Sequence, residues 1–311
     1  MATPIAVPVS EVTEALEKRH RQALDELPLV GSLQLDAVSV AEGLQSLARS
    51  AASAVADLAL SLAERHGAND VLVVLDIDNT ILAMKQGRGS DQWYYWQKDL
   101  AAEDPCDPAV VSARFAVQGA LFHASAMRPT QPDAAAQVQR IQAAGIPVIA
   151  LTSRGSNYRL QTFRELRRNG FSFWPSALPP QRGWPETFVP AGGERPALYE
   201  DGVFLTAGQH KGRMLQALLD RTGVQRPQAI VMADDKRENL DAIWESFAGT
   251  DIAVHAWRYT AEDANVAAFD AVTAAAQWDA LRGALATIEA VLGPDNYDLP
   301  ESGRHPDCHA P

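Results

Sequence analysis

Two aspartates stand directly after a short apolar run in the first third of the chain. Asp76 and Asp78 follow residues 71–75, which are Val-Leu-Val-Val-Leu. A continuous apolar run of this length is typical of a strand that is buried on both faces of a parallel sheet. Open α/β sheets bind their ligands at the carboxyl ends of such strands. Burying two acids there is costly unless a cation or a reaction needs them.

The spacing of these two acids suits phosphoryl transfer. Residues i and i+2 can present both side chains to one pocket. The Asp76 carboxylate can attack a phosphorus atom and form an aspartyl-phosphate. Asp78 can protonate the leaving alkoxide and then accept a proton from the water that hydrolyses the acyl phosphate. Because two anions then approach each other, we expect a hard, oxygen-binding cation such as Mg²⁺ between them.

Three further signals follow in order along the chain. Each joins a predicted strand end or helix start to polar side chains: Thr152 after 146–151, Lys211 before a helical pattern over 213–220, and Asp234 with Asp235 after 229–233. Together with the pattern hhhhDxDxT at 72–80, this ordered set resembles the signatures of the haloacid dehalogenase (HAD) superfamily.

The resemblance implies a fold and a magnesium site. The fold would be α/β, with a doubly wound, mostly parallel, Rossmann-like sheet. The carboxylates of Asp76 and Asp235 and the main-chain carbonyl of Asp78 would bind Mg²⁺. Asp234 would not contact the metal itself but would orient a water molecule or Lys211, and Asn239 would hold the metal-binding loop. Which aspartate of the pair at 234 and 235 contacts the metal is left open.

The same resemblance implies the substrate contacts. Thr152 would donate a hydrogen bond to a phosphoryl oxygen, and Lys211 would neutralise Asp76 and the phosphoryl charge. Arg154 could reach a substrate anion, although a surface salt bridge fits it equally well. An aspartate at position 78 favours phosphatase or phosphotransferase chemistry over carbon–halogen hydrolysis or ion pumping.

The predicted function is therefore a Mg²⁺-dependent phosphohydrolase that acts on a phosphomonoester. Two alternatives stay open. One is phosphotransfer to an acceptor other than water, and the other is a binding protein that keeps the fold without turnover.

Three regions are expected along the chain. They are an N-terminal helical extension over 1–69, a catalytic core over 70–262, and C-terminal helices with a loose tail over 263–311. Helical patterns cover 10–27 and 40–66, and residues 29–35 fit a loop or a short extended piece. Within the core, an insert over about 83–127 is expected to form a small helical cap.

Shorter patterns give further expectations. The aromatic run at 93–96 fits either a helix packed on the domain or a wall over the substrate entrance. A hairpin is predicted at Asp201–Gly202, and Thr130 with Asp133 resembles the capping box of a helix start.

Composition and charge limit the classes of partner. The chain has 311 residues, of which 47% are hydrophobic, and a formal net charge of −12. A negative surface disfavours nucleic acid as a partner. A small phosphorylated substrate stays compatible, because a cation and a lysine can reverse the field in one cleft. The first residues resemble neither a signal peptide nor a membrane anchor, so we expect no membrane contact and a cytoplasmic location. Oligomeric state is not predicted.

The chain has two cysteines, Cys106 and Cys308. One bridge between them is possible, but two cysteines do not suggest a disulfide framework. His305, Cys308 and His309 crowd the tail, and they are too few to predict a transition-metal site.

Overall fold

The computed structural model describes residues 28–30, 51–293, 305, 307 and 308. The helix predicted over 10–27 and the first part of the one predicted over 40–66 lie outside these residues. The described part forms an α/β fold built on one large, mostly parallel sheet.

The strands fall into two groups. The large sheet has seven: β1 (Pro28–Val30), β2 (Val71–Leu75), β5 (Val148–Thr152), β6 (Leu198–Glu200), β7 (Val203–Leu205), β8 (Ala229–Asp234) and β9 (Ala253–Arg258). Two more form a separate antiparallel ribbon: β3 (Leu82–Met84) and β4 (Met127–Pro129).

The helices alternate with the strands along the chain. They are α1 (Ala51–His66), α2 (Asp91–Glu103), α3 (Arg114–Ala124), α4 (Ala134–Ala143), α5 (Arg159–Arg168), α6 (Lys211–Thr222), α7 (Arg237–Phe247), α8 (Asp263–Ala267) and α9 (Ala271–Leu292). Short 3₁₀ turns occupy Ala68–Asp70, Ser156–Tyr158 and Trp174–Ser176.

The order of the large sheet is β1-β9-β8-β2-β5-β7-β6. The outermost strands, β1 and β6, run antiparallel to their neighbours, and the strands between them are parallel. Strand β2 therefore lies between β8 and β5, with Leu75 opposite both Ala233 and Ala150. This register brings the residues that follow β2 next to the ends of β8 and β5.

Both faces of β2 are buried, which explains its unbroken apolar sequence. Val71, Val73 and Leu75 pack into a core with residues of α1, α4 and α5. Leu72 and Val74 pack on the opposite face with residues of α6 and α7. The apolar spacing of three and four residues in these helices supplies the matching stripes. A sheet held from both sides in this way gives a rigid base for the residues at its edge.

Residues 85–126, here called the insert, leave the core through the β3–β4 ribbon. Helix α2 begins at a cap formed by Ser90, whose hydroxyl accepts a hydrogen bond from Trp93 N–H. Trp93 is fully buried against Trp278 of α9. The C-terminal helix α9 thus packs on the insert.

The aromatic run is divided between two roles. Trp93 and Trp96 pack in a cluster that the insert shares with the C-terminal segment, with the Trp96 ring 5.9 Å from that of Phe269. Tyr95 is 39% exposed and faces Lys236 of the core.

A disulfide joins Cys106 of the insert to Cys308 of the tail. Cys308 is therefore not a thiol ligand, and His309 lies outside the described residues. Disulfides are typical of oxidising compartments, and the cytoplasmic location stays a prediction. No helix in the described ranges is both long enough and apolar enough to cross a membrane.

The prediction of an α/β fold with a mostly parallel sheet is confirmed. The hairpin at Asp201–Gly202 is present as β6 and β7. The capping box was wrong, because helix α4 begins at Ala134 and the Thr130 hydroxyl donates to the carbonyl of Thr80 instead.

Candidate functional site

The turn after β2 sets the position of Asp76. The Asp76 N–H donates to the carbonyl of Ala233 at 2.9 Å, which continues the pairing of β2 with β8. Asn79 adopts a left-handed conformation with φ of 59°, which asparagine tolerates better than most residues. The chain then turns back, and the buried Thr80 hydroxyl donates to the Asp76 carboxylate at 3.3 Å.

Lys211 is the cation at the centre of the site. Its Nζ lies 2.5 Å from Asp76 Oδ1 and 2.5 Å from Asp234 Oδ2, and the whole residue is 2% exposed. The adjacent Gly212 lets α6 approach α7, since a Cβ at this position would lie 2.1 Å from the Ala242 carbonyl oxygen. The first turn of α6 is thereby fixed, and it aims Lys211 at the end of β2.

Asp234 and Asp235 end strand β8 with different partners. Asp234 is fully buried and accepts hydrogen bonds from Lys211, from Asn239 Nδ2 and from the N–H of Lys236. The Asp235 N–H donates to the Thr80 hydroxyl at 3.0 Å. Thr80 therefore links the turn after β2 to the turn after β8.

Three carboxylates converge at this edge of the sheet. Asp76, Asp234 and Asp235 each offer an oxygen, and the three oxygens lie within 4.8 Å of one another. Oxygen ligands at such spacing suit a hard divalent cation. Of this group, Asp234 already has three hydrogen-bond donors, whereas Asp76 has two.

The electrostatics reflect crowding of like charges. Burial raises the pKa of Asp76 to about 7, with the charge of Lys211 opposing the rise and that of Asp234 adding to it. Burial and the charges of Asp76 and Asp234 raise the pKa of Asp235 to about 9. Burial would lower the pKa of Lys211, but the two carboxylates outweigh it and raise that pKa. The lysine is therefore charged, and the acids lack counter-charge.

Asp78 and Arg154 form a bidentate ion pair beside the cluster. Arg154 donates to the two carboxylate oxygens of Asp78 at 2.8 and 2.7 Å, and its guanidinium also lies 4.2 Å from the centre of the Phe122 ring. The Arg154 side chain is only 8% exposed. The salt bridge considered from the sequence is thus present, but it is largely buried.

Thr152 ends strand β5, next to the turn that carries Asp78. Its hydroxyl accepts a hydrogen bond from the Arg154 N–H at 3.2 Å. Its carbonyl accepts two more, from the N–H and the hydroxyl of Thr206. The residue is 1% exposed, so its position is firmly fixed.

The sequence did not predict an ion pair between the insert and the core. Lys236 Nζ lies 2.6 Å from Asp91 Oδ2 and 3.9 Å from the centre of the Tyr95 ring. Burial opposes ionisation of Lys236, but Asp91 and Asp235 raise its pKa. Lysine after the Asp234–Asp235 pair was visible in the sequence. Its partner, 145 residues away, was not.

The site lies within the segment that a family model matches. The model describes a protein of unknown function (DUF2608), and it covers residues 52–290. The chain belongs to the DUF2608 family. No curated protein matches it.

In this DUF2608 protein the charged groups at the sheet edge do not balance. The described residues that interact there are five carboxylates and three cations: Asp76, Asp78, Asp91, Asp234, Asp235, Lys211, Lys236 and Arg154. The excess of two negative charges can be offset by two protons or by one divalent cation. The raised pKa values of Asp76 and Asp235 identify where those protons would sit without a cation.

Proposed function

We propose that this DUF2608 protein is a Mg²⁺-dependent phosphohydrolase that cleaves a small phosphomonoester through an aspartyl-phosphate. The observation that carries the proposal is the position of Asp76. It lies at the carboxyl end of the central strand, bonded to a buried lysine and within 4.8 Å of two further carboxylates. The parallel strands, ordered β9-β8-β2-β5-β7, are consistent with a doubly wound, Rossmann-like sheet of the HAD type.

The proposed reaction uses the chain's own residues in two steps. An Asp76 oxygen forms a bond to phosphorus, the ester P–O bond breaks, and the leaving oxygen takes a proton from Asp78. In the second step Asp78 accepts a proton from water, the water oxygen forms a bond to phosphorus, and the bond between the Asp76 oxygen and phosphorus breaks. Inorganic phosphate leaves, and both aspartates return to their starting forms.

Lys211 and Thr152 would hold the phosphoryl group. Lys211 already neutralises part of the charge on Asp76, so it lowers the repulsion between that carboxylate and an arriving phosphate. The Thr152 hydroxyl accepts a bond from the Arg154 N–H, which leaves its own proton available to a phosphoryl oxygen.

Asp76 and Asp235 would hold the magnesium ion, with the main-chain carbonyl of Asp78 as a further ligand. When bound, the ion would supply the counter-charge that the five carboxylates lack and would polarise the phosphoryl group. Asp234 is the weaker candidate for a direct ligand, because Lys211, Lys236 N–H and Asn239 already occupy its oxygens.

The ion pair between Asp78 and Arg154 adds a condition to this scheme. An acid whose two oxygens bond to a guanidinium must turn away before it can meet a leaving oxygen. Separation of the pair would free Arg154 for an anionic group of the substrate. Asp78, once it has taken up a proton from solvent, would then be free to protonate the leaving oxygen. The two roles considered for Arg154 would then be two states of one residue.

The decisive experiment measures phosphate release from a panel of phosphorylated metabolites with Mg²⁺. We expect turnover in the native protein, and at least about a 10³-fold loss in Asp76→Asn with the fold retained by circular dichroism. Asp241→Asn is the matched control, since this aspartate lies on the exposed side of α7. A native rate in Asp76→Asn would eliminate the covalent route.

Two further results separate the alternatives, and a third tests the role of the metal. Transfer of the phosphoryl group to an added alcohol, in place of release as inorganic phosphate, would indicate a phosphotransferase. No turnover of any substrate, with Mg²⁺ binding intact, would favour a binding protein. Full activity in excess chelator would remove the metal from the scheme.

A further inference from the structure

Lys236 connects the turn after β8 to the insert. Its N–H donates to Asp234 Oδ1 at 2.9 Å, and its carbonyl accepts a hydrogen bond from the N–H of Asn239 at 3.2 Å. The backbone of Lys236 is therefore held at the start of α7. Its side chain leaves the core and reaches the insert, where its Nζ lies 2.6 Å from Asp91 Oδ2.

Two residues of α2 hold this ammonium group. Asp91 and Tyr95 are four residues apart in the helix, so they lie on the same face. The centre of the Tyr95 ring is 3.9 Å from Lys236 Nζ, which adds a cation–π attraction to the ion pair. The ion pair is not sealed from solvent, since the side chains of Lys236 and Asp91 are 30% and 22% exposed. Lys236 can therefore change partners without disturbing a packed core.

The position of Asp91 is set by the insert. Helix α2 begins at the Ser90 cap, and the fully buried Trp93 packs in a cluster with Trp278 of α9. Asp91 lies between Ser90 and Trp93 as the first residue of α2, where the partial positive charge of a helix N-terminus favours a carboxylate. The insert thus offers Lys236 an acid that is not part of the acidic cluster of Asp76, Asp234 and Asp235.

A second acid attracts the same ammonium group. Burial is the main cause of the raised pKa of Asp235, and the charge of the neighbouring Lys236 opposes the rise. Within the described part of the chain, however, Lys236 forms an ion pair with Asp91 and none with Asp235. Lysine carries its charge on a flexible four-carbon stem, so removal of one acid leaves it free to turn to the other.

The partner of Lys236 matters for a cation at the acidic cluster. An ammonium group and a divalent ion compete for the same carboxylate oxygens. We propose that Asp91 is a positioning residue, which keeps Lys236 away from Asp235 and so preserves the affinity of the acidic cluster for Mg²⁺. This inference rests on the magnesium site of the proposed function. It assigns to the insert a role in metal binding, although no residue of the insert is a ligand.

Titration calorimetry of the full-length chain with Mg²⁺ alone, at one pH and one ionic strength, tests the proposal. Asp91→Asn removes the charge that holds Lys236, and we expect Mg²⁺ to bind at least about tenfold more weakly. Asp91→Glu keeps a carboxylate at this position and should stay within about threefold of the native Kd. Asp99→Asn is the matched control, because it removes the same charge from an exposed position about two turns further along α2; it should bind normally.

A second background distinguishes an effect through Lys236 from a direct effect of the Asp91 charge. Lys236→Met removes the competing cation, so this variant should bind Mg²⁺ at least as tightly as the native protein. When Asp91→Asn is added to Lys236→Met, Kd should change by less than about threefold, whereas independent effects would add in full. Circular dichroism checks that each variant is folded.

Two results would overturn the proposal while leaving the magnesium site intact. One is native affinity for Mg²⁺ in Asp91→Asn. The other is an equal loss of affinity on Asp91→Asn in the native and Lys236→Met backgrounds, which would mean that Asp91 acts by its charge alone. No binding of Mg²⁺ by the native protein would instead contradict the metal site of the proposed function, and this inference with it.

Discussion

Replacement of Asp235 by asparagine tests the electrostatic account of the acidic cluster most directly. Asparagine keeps the size of the side chain and removes one of the three carboxylates that converge after β2 and β8. Repulsion from the charges of Asp76 and Asp234 destabilises an ionised Asp235, whereas an uncharged amide is not repelled. We therefore expect the metal-free variant to be more stable than the native protein.

The size of the effect follows from the pKa of Asp235. That pKa is about 9 in the fold, against an ordinary value of 3.8. Between these values the folded carboxyl is protonated and the unfolded one is not, so folding takes up a proton and stability falls as pH rises. Each pH unit above 3.8 costs about 1.4 kcal/mol, which gives about 4 kcal/mol at pH 7 as an upper value.

The pH dependence has a definite sign. Below about pH 4 the carboxyl is protonated in both states, so native protein and variant should be equally stable. The advantage of Asp235→Asn should then grow with pH up to the folded pKa of about 9. Asp76, with a pKa of about 7, adds a pH-dependent loss of its own up to that pH in both proteins.

Denaturant unfolding at about pH 5 and pH 8, with and without Mg²⁺, measures these quantities. Mg²⁺ should stabilise the native protein, by about 2.7 kcal/mol at a hundredfold excess over Kd, and should add little to the variant. Asp241→Asn serves as the control. A metal-free variant that is less stable than native protein at pH 8 would refute the like-charge argument. An undiminished response to Mg²⁺ would show that Asp235 is not a ligand.

Two other predictions concern stability. Lys211→Met should lower the free energy of unfolding by about 3–5 kcal/mol, because Asp76 and Asp234 are left buried without their shared cation. In denaturant unfolding this loss should be smaller at low pH, where the two carboxyls are protonated. An unchanged free energy of unfolding would contradict the pairing. Reduction of the disulfide should cost up to about 5 kcal/mol, since it frees a loop of 202 residues in the unfolded chain. Thermal melts with and without reductant test this, Cys106→Ser should reproduce the reduced state, and a reductant-insensitive melt would count against the bridge.

The sequence was most informative where local pattern and long-range geometry coincide. An apolar run such as 71–75 predicts a strand buried on both faces, and parallel strands necessarily end at one edge of their sheet. The resemblance to the HAD superfamily predicted that Asp76 would meet Asp234 and Asp235, and their meeting is explained by the parallel pairing of β2 with β8. Lys211 lies at the first turn of α6, which follows β7, and β7 is a parallel strand of the same sheet that ends at the same edge.

Contacts between distant segments had no comparable local signal. Strand β1 is only three residues long, and a fragment of that length is defined by its pairing with β9. The pair of Lys236 with Asp91 and the disulfide depend on how the insert sits against the core and the tail. Thr130 shows the opposite: the local sequence predicted a helix cap, but its hydroxyl donates a hydrogen bond to the distant carbonyl of Thr80.

The bond between Cys106 and Cys308 turns most of the chain into a covalent ring. A protease that cuts once within this ring, for example in the irregular stretch between α5 and β6, produces two fragments that stay attached. They would migrate as a single species on a non-reducing gel and separate only after reductant is added. Core, insert and C-terminal helix would thus survive a first cut as one molecule.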